Sequence, residues 1–379
     1  MLNKNRFIAD YMMQYVMPQF KKRIVSLDKL AREKRPELIE QIKGGIFELI
    51  EQTQMRQESG RKENIQCIGI HLLRTEVLRR RYQLLFCAYG ERFLLDPALA
   101  DLHIEFAEFF QPLEEMQTSL LESLPKANGF ISADRIGVFI QQMIGPWRAY
   151  LIELSRLAVR ALAKSDCFAQ IQTAENFFVI CGEDKDFFDE IYVTEKETRN
   201  ELQIKAAIVE LESGKEDLAC KVFERYSFQE LVFTKRNLSK SKVVESKFIA
   251  CNLDESHLVK TEFINCRFEG VMFNSANIFD ANFSGCSFYD CSFNNAFGGI
   301  TPPPLNTENV LGFTGVSFTD CTFNDVVFDR AYLMETDFTG AEFENVSFEG
   351  ADLKKSIFSD QSIASLSLSE YQMMSITLV

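Results

Sequence analysis

Three histidines (His71, His103 and His257) and ten cysteines are the side chains best suited to nucleophilic, acid–base or metal chemistry, and their spacing favours none of these. A zinc site draws on ligands in close pairs, and the chain has no Cys-x-x-Cys pair and no His-Glu-x-x-His. It also lacks a Gly-x-Ser-x-Gly elbow, a phosphate-binding Gly-x-x-x-x-Gly-Lys-Ser/Thr loop and a dinucleotide fingerprint. Gly214-Lys215 has neither the preceding glycine nor the following hydroxyl, and reads as a helix end. His71 and His103 stand among apolar residues on predicted helices, the setting of a structural histidine, and His257 falls on an outward position of a repeat. The reading is a non-catalytic chain with no metal and no cofactor.

The chain has 379 residues, 46% of them apolar, which is enough for two or three domains. A net charge of −14 disfavours direct contact with nucleic acid or an anionic membrane. No window approaches the roughly 18 apolar residues of a membrane span. The amino terminus, Met1-Leu-Asn-Lys-Asn-Arg-Phe, breaks its apolar residues with charge, unlike a secretory signal. These features predict a soluble cytoplasmic protein with reduced thiols, with delivery into another cell by a signal-free route left open.

Between residue 3 and about residue 220 the apolar residues recur at three- and four-residue spacing, as in Phe7, Ile8, Tyr11, Met12, Tyr15 and Val16 and in Leu38, Ile42, Ile46, Leu49 and Ile50. This spacing predicts an all-α helical bundle over residues 1–220, with helices near 3–24, 36–58, 63–95, 97–124, 132–164, 166–181, 185–192 and 194–219. Asp96-Pro97 reads as an N-cap with proline in the first turn, and Thr194-Glu-Lys-Glu197 has capping-box spacing. Pro18, Pro112 and Pro146 read as kinks or divisions.

From Phe223 the period becomes five. Fifteen consecutive fifth positions, Phe223 to Phe293, are apolar, and 12 more follow from Phe313 to Leu368. About half would be apolar by chance at this composition. Eighteen of these 27 centres are phenylalanine, including Phe248, Phe263, Phe268, Phe273, Phe283, Phe288, Phe293, Phe318, Phe323, Phe328, Phe338, Phe343, Phe348 and Phe358. Two residues before each centre runs a track of small side chains, Ser241, Ser246, Cys251, Ser256 and onward, which absorbs five of the cysteines by size alone. One large and one small inward residue in every five defines a thin solenoid filled by stacked rings. Cys266 and Cys286 are 20 apart and read as two free buried thiols on successive coils.

Segments such as Ala281-Asn-Phe283-Ser-Gly and Ala351-Asp-Leu353-Lys-Lys resemble the pentapeptide-repeat family, over about 145 residues. The resemblance implies a right-handed quadrilateral β-helix across residues 221–368, four pentapeptides to a coil. Residue n then lies under n+20, with Phe248, Phe268 and Phe288 in one column and Phe323, Phe343 and Ile363 in another. The fold class is therefore α + β, a helical bundle followed by this solenoid.

Residues 294–312 put Gly298, Pro303 and Glu308 at the period's centres and read as a loop leaving the coil. Gly298, Gly299, Pro302, Pro303 and Pro304 make it a candidate recognition loop, and equally a tolerated insertion. Residues 369–379 read as a cap or dimerisation tail. Leu366, Leu368, Tyr371, Met374, Ile376 and Leu378 need burial over the last coil or against a second copy, and the helical domain is expected to cap the first coil. Relatives in the gyrase-protecting branch dimerise at this end, so the resemblance implies a homodimer.

Charge is uneven. Residues 270–368 carry three basic and 13 acidic groups, a net of −10, whereas residues 1–96 are net +6 and include Lys21, Lys22, Arg23 and Arg79, Arg80, Arg81. Asp320, Asp325, Asp329, Glu335, Asp337, Glu342, Glu344, Glu349 and Asp352 form a candidate acidic partner-binding surface. Two readings follow: a protein-protein interaction scaffold, or a DNA mimic that binds a type II topoisomerase, as the gyrase-protecting branch implies. An enzyme in the helical domain is a remote third, without a motif behind it.

Overall fold

The computed structural model describes residues 2–59, 63–127, 129–163, 165, 167–193, 218–303 and 310–379. The chain divides into two compact units, the second taking in residues 197–302 and 311–379.

In the first unit, helix α1 (Leu2–Tyr11) passes through a π-helical turn, Met12–Val16, into α2 (Met17–Glu33), with Pro18 in the opening turn. Helix α3 (Arg35–Glu58) follows, burying Leu38, Ile42, Ile46, Leu49 and Ile50 on one stripe. The region is not all-α. Strands β1 (Ile65–Leu72), β2 (Gln83–Tyr89), β3 (Ala100–Glu105), β4 (Thr173–Glu183) and β5 (Phe188–Val193) form one sheet in the order β3-β2-β1-β4-β5. β1 runs antiparallel to β2 and parallel to β4.

The predicted helix 63–95 is thus β1, the short α4 (Arg74–Leu78) and β2. The predicted helix 97–124 is β3 followed by α5 (Ala107–Glu122), and Asp96 is no N-cap: it ends the 3-10 turn Phe93–Leu95 and lies extended (φ −112°, ψ 158°) on the way to β3. The cause lies in burial. Seven of the eight residues of β1 are buried, on both faces, so its apolar run lacks the alternation that would distinguish a strand from a helix. Helices α6 (Ala133–Gln142) and α7 (Gly145–Ala163) are separated just before Pro146, whereas α5 runs unbroken through Pro112. The predicted helix 194–219 and its capping box lie outside the described residues except at 218 and 219.

The second unit is a stack of parallel rungs. One ladder joins Val222, Lys242, Glu262, Asn282, Ser317, Asp337, Ile357 and Thr377 in turn. Three more ladders run through Phe228–Phe248, Val232–Asn252 and Asn237–His257, one for each remaining pentapeptide of the 20-residue coil. Phe288 pairs with Phe323 rather than with residue 308, so Phe248, Phe268, Phe288, Phe323 and Phe343 form one column with 15 residues looped out between its rungs, while Ile363, expected under Phe343, lies in a 3-10 turn (Ile363–Ser365) instead. Because 15 is a whole number of pentapeptides, the inward phase survives the insertion.

The loop is narrower than residues 294–312. Phe297 pairs with Asn277 and Tyr332, and the Gly298 amide donates to the Tyr332 carbonyl at 2.8 Å, so both remain in the coil. A Cβ on Gly298 would meet Val316 Cγ2 at 2.4 Å, which shows whose side chain fills that place. Gly299 packs under the Tyr332 ring in the same way. The neck is pinned by Thr301 Oγ1 donating to the Leu311 carbonyl (2.6 Å) and by Asp280 Oδ1 accepting the Thr314 amide (2.8 Å). Pro302 and Pro303 lie beyond it, and Pro304 is outside the described residues.

Candidate functional site

Each position of the pentapeptide has one physical task. The apolar centres from Phe223 to Phe358 are buried, from 0% exposure at Phe283 to 8% at Phe343, whereas Ile363 and Leu368 are half-buried. They form three aromatic columns in which successive rings lie nearly parallel. Phe268 and Phe288 are 4.8 Å apart, Phe263 and Phe283 4.9 Å, and Phe273 and Phe293 4.4 Å, with 5.0 Å across the insertion at Phe288–Phe323. Rings of different columns meet edge to face, as Phe283 and Phe288 do at 5.8 Å, the geometry favoured by the aromatic quadrupole. The fourth column is Leu238, Leu258, Ile278, Gly298, Leu333 and Leu353, all buried.

The small track adds hydrogen bonds to its packing. Ser241 Oγ donates to the Leu218 carbonyl (2.6 Å), Thr261 to Leu238 (2.8 Å) and Ser356 to Leu333 (2.7 Å), each 23 residues back. Cysteines take the same bond, Cys286 to the Phe263 carbonyl at 3.4 Å. Burial pushes the Cys291 and Cys321 thiols up to about 12, so neither is available as a thiolate nucleophile.

The residue before the centre closes an Asx turn: Asn282 Oδ1 accepts the Ser284 amide (3.1 Å) and Asp352 Oδ1 the Lys354 amide (3.2 Å). The residue two after the centre is left-handed at every described turn from Cys220 to Asn295 and from Gly315 to Lys355. At most of these corners the amide donates to the next coil, as Ala250 does to the Glu269 carbonyl at 2.8 Å. The sequence signal for this left-handed corner is weak, since glycine, asparagine and aspartate hold 12 of the 25 positions and lysine, glutamate and arginine hold 10.

The nine acidic residues divide by task. Asp329, Asp337 and Asp352 accept backbone amides of their own solenoid, and Glu335 is paired with Lys355 at 3.1 Å. Asp320, Asp325, Glu342, Glu344 and Glu349 are exposed. Asn345 and Asn324 bond Asp325 and Glu344 across one coil (3.2 and 2.6 Å), spacing their charges along the ladder.

The tail also divides. Leu366, Leu368 and Ile376 pack on the last coil, and α8 (Glu370–Ser375) carries a capping box between Ser369 and Gln372. Gln372 is buried and donates to the Phe348 and Ala351 carbonyls (2.8 and 3.0 Å), while Thr377–Leu378 pairs with Ile357–Phe358 as a final rung. Tyr371, Met374 and Leu378 are exposed.

In the first unit His71 lies on β1 rather than on a helix, buried, with Tyr89 Oη 3.3 Å from Nε2, and burial pushes its pKa down. His103 is exposed on β3, and His257 is exposed on its ladder. Among the described residues no group of three or more His, Cys, Asp or Glu is placed to hold a metal, and no helix is long and apolar enough to cross a membrane.

The family model for pentapeptide repeats matches in eight copies over residues 244–285, 313–350 and 335–360. No curated protein matches the chain. Among solved structures, the plasmid-mediated fluoroquinolone resistance protein QnrB1 is 13% identical, covering 43% of this chain and 85% of its own, with a TM-score of 0.29. HetL, a pentapeptide repeat protein involved in heterocyst differentiation regulation in the cyanobacterium Nostoc, is 13% identical over 40% of this chain and 82% of its own, TM-score 0.22. A pentapeptide repeat protein of the Arabidopsis thaliana thylakoid lumen is 13% identical over 41% of this chain and 74% of its own, TM-score 0.11. The matched copies fall on the residues that build the stacked columns and parallel rungs, so residues 244–285 and 313–360 are pentapeptide repeats.

Proposed function

We propose that the coils wind as a right-handed, four-sided β-helix serving as a non-catalytic scaffold for protein partners, with the first unit as a second partner-binding module. The observation that supports this is the filled interior: rings about 5 Å apart and a hydrogen-bonded small track leave the outer surface as the place for recognition. A homodimer through the carboxyl-terminal end belongs to the same reading, with exposed Met374 and Leu378 as its contact. The test is affinity capture from cell extract by the whole chain and by a chain in which Asp320, Asp325, Glu342 and Glu344 are changed to their amides. A partner held by the first and weakened in the second is expected; retention of nothing by either would end the scaffold reading.

A second reading is a DNA mimic directed at a type II topoisomerase, supported by the net −10 of residues 270–368. Its measurement is gyrase supercoiling with and without a quinolone, in the presence of the protein. A rate unchanged in both conditions rules it out.

A further inference from the structure

Every coil hands a fixed set of backbone groups to the next. Phe328 and Arg330 amides donate to the Ser347 and Glu349 carbonyls (both 2.8 Å), and the Val271 carbonyl accepts the Ser292 amide (3.1 Å). At the carboxyl-terminal end of the same ladders the equivalent groups are the amides of Phe348 and Gly350 and the carbonyl of Val346. Among the described residues none of the three makes a bond to a following rung. The tail residues that stand 20 positions on are diverted: the Ser369 amide is turned to Gln372 Oε1 (2.9 Å) in the capping box of α8. Ser347, Glu349, Asp352, Ser367, Ser369 and Tyr371 instead line a cleft of about 660 Å³ along this bare edge. Both charges among them are acidic, and the Tyr371 ring is 75% exposed at the rim.

We propose that this cleft takes an extended, basic peptide segment of a partner protein as an added strand, paired to Val346, Phe348 and Gly350 and held by Glu349, Asp352 and the Tyr371 face. A strand edge supplies main-chain bonds, alternate side chains supply specificity, and lysine or arginine satisfies two carboxylates and an aromatic face together. The proposal rests on the scaffold reading and names the chemistry of one partner.

The probe is a fluorescein-labelled octapeptide alternating valine and lysine, titrated into the full-length protein by anisotropy. Binding is expected, weakened about tenfold or more by Glu349→Lys, and equally by N-methylation of alternate peptide amides, which removes the ladder bonds without removing charge. Thermal melting of the variant checks that it is folded. No binding, binding indifferent to Glu349→Lys, or equal binding of the methylated peptide, which marks simple adsorption to acidic coils, would each overturn the proposal. If the whole chain captures partners from extract equally well with Glu349→Lys, the cleft fails and the scaffold stands. If it captures none, the scaffold fails while the peptide titration still decides the cleft.

Discussion

Lysine, glutamate, alanine and arginine at left-handed corners are costly residues in a costly conformation, about 1–2 kcal/mol each, since Cβ crowds the following carbonyl. The coil tolerates them because the amide at each of these lysine, glutamate, alanine and arginine corners is bonded to the rung that follows. Gly285 (φ +70°) and Ala250 (φ +51°) test this from opposite sides. A Cβ on Gly285 would also meet Asn265 Oδ1 at 2.3 Å. Gly285→Ala is expected to lose about 1 kcal/mol in urea denaturation, whereas Ala250→Gly is neutral or stabilising; a loss of equal size in both would contradict the assignment. His71 makes a pH prediction for the first unit. Burial holds its folded-state pKa below the ordinary value near 6.5, so below that pH the unfolded chain binds the extra proton and stability falls as pH falls. Melting of that unit should drop between pH 7.5 and pH 5.5, with the slope reduced in His71→Gln; an unchanged slope in the variant would assign the effect elsewhere.

Elements differ in how far the sequence disclosed them. A pentapeptide decides its own inward and outward faces within five residues, so the columns and the 20-residue register were legible from Phe223 onward. The five-stranded sheet was not: β1 and the inner part of β4 are buried on both faces, and their runs, such as Ile65 to Leu72, look the same as a buried helix. The loop boundaries were misread because Gly298 breaks the apolar pattern while Val316 fills its place from another part of the chain, a compensation that no local window contains. The cap was legible as apolar residues needing cover, but Gln372, the polar residue that seals the coil end, shows in the sequence only as the last member of a Ser369-x-x-Gln372 capping box, with nothing to mark the carbonyls it meets. Gln372→Ala strands the Ala351 carbonyl and leaves the Phe348 carbonyl with only the Ala351 amide (3.1 Å); it should cost about 1–3 kcal/mol, read by thermal melting, with greater amide exchange in the last coil. A wild-type melting curve would show that water serves those carbonyls equally well.

For the whole molecule, the account depends on an interior so full of rings that recognition is left to the surface. Burial of one phenylalanine contributes roughly 1.5–3 kcal/mol, and the aromatic columns run through the unit from Phe223 to Phe358. The acidic distal coils, the pinned loop and the bare edge beside α8 then differ only in what they display. Neighbouring residues on one rung give the most direct test. Phe273 is fully buried, with its ring 4.4 Å from that of Phe293, while Met272 beside it is 41% exposed. Equilibrium denaturation of the full chain should show Phe273→Ala losing about 3–5 kcal/mol and Met272→Ala changing by no more than about 0.5 kcal/mol. Similar losses from the two, or the larger loss from Met272→Ala, would contradict a solenoid built around its rings.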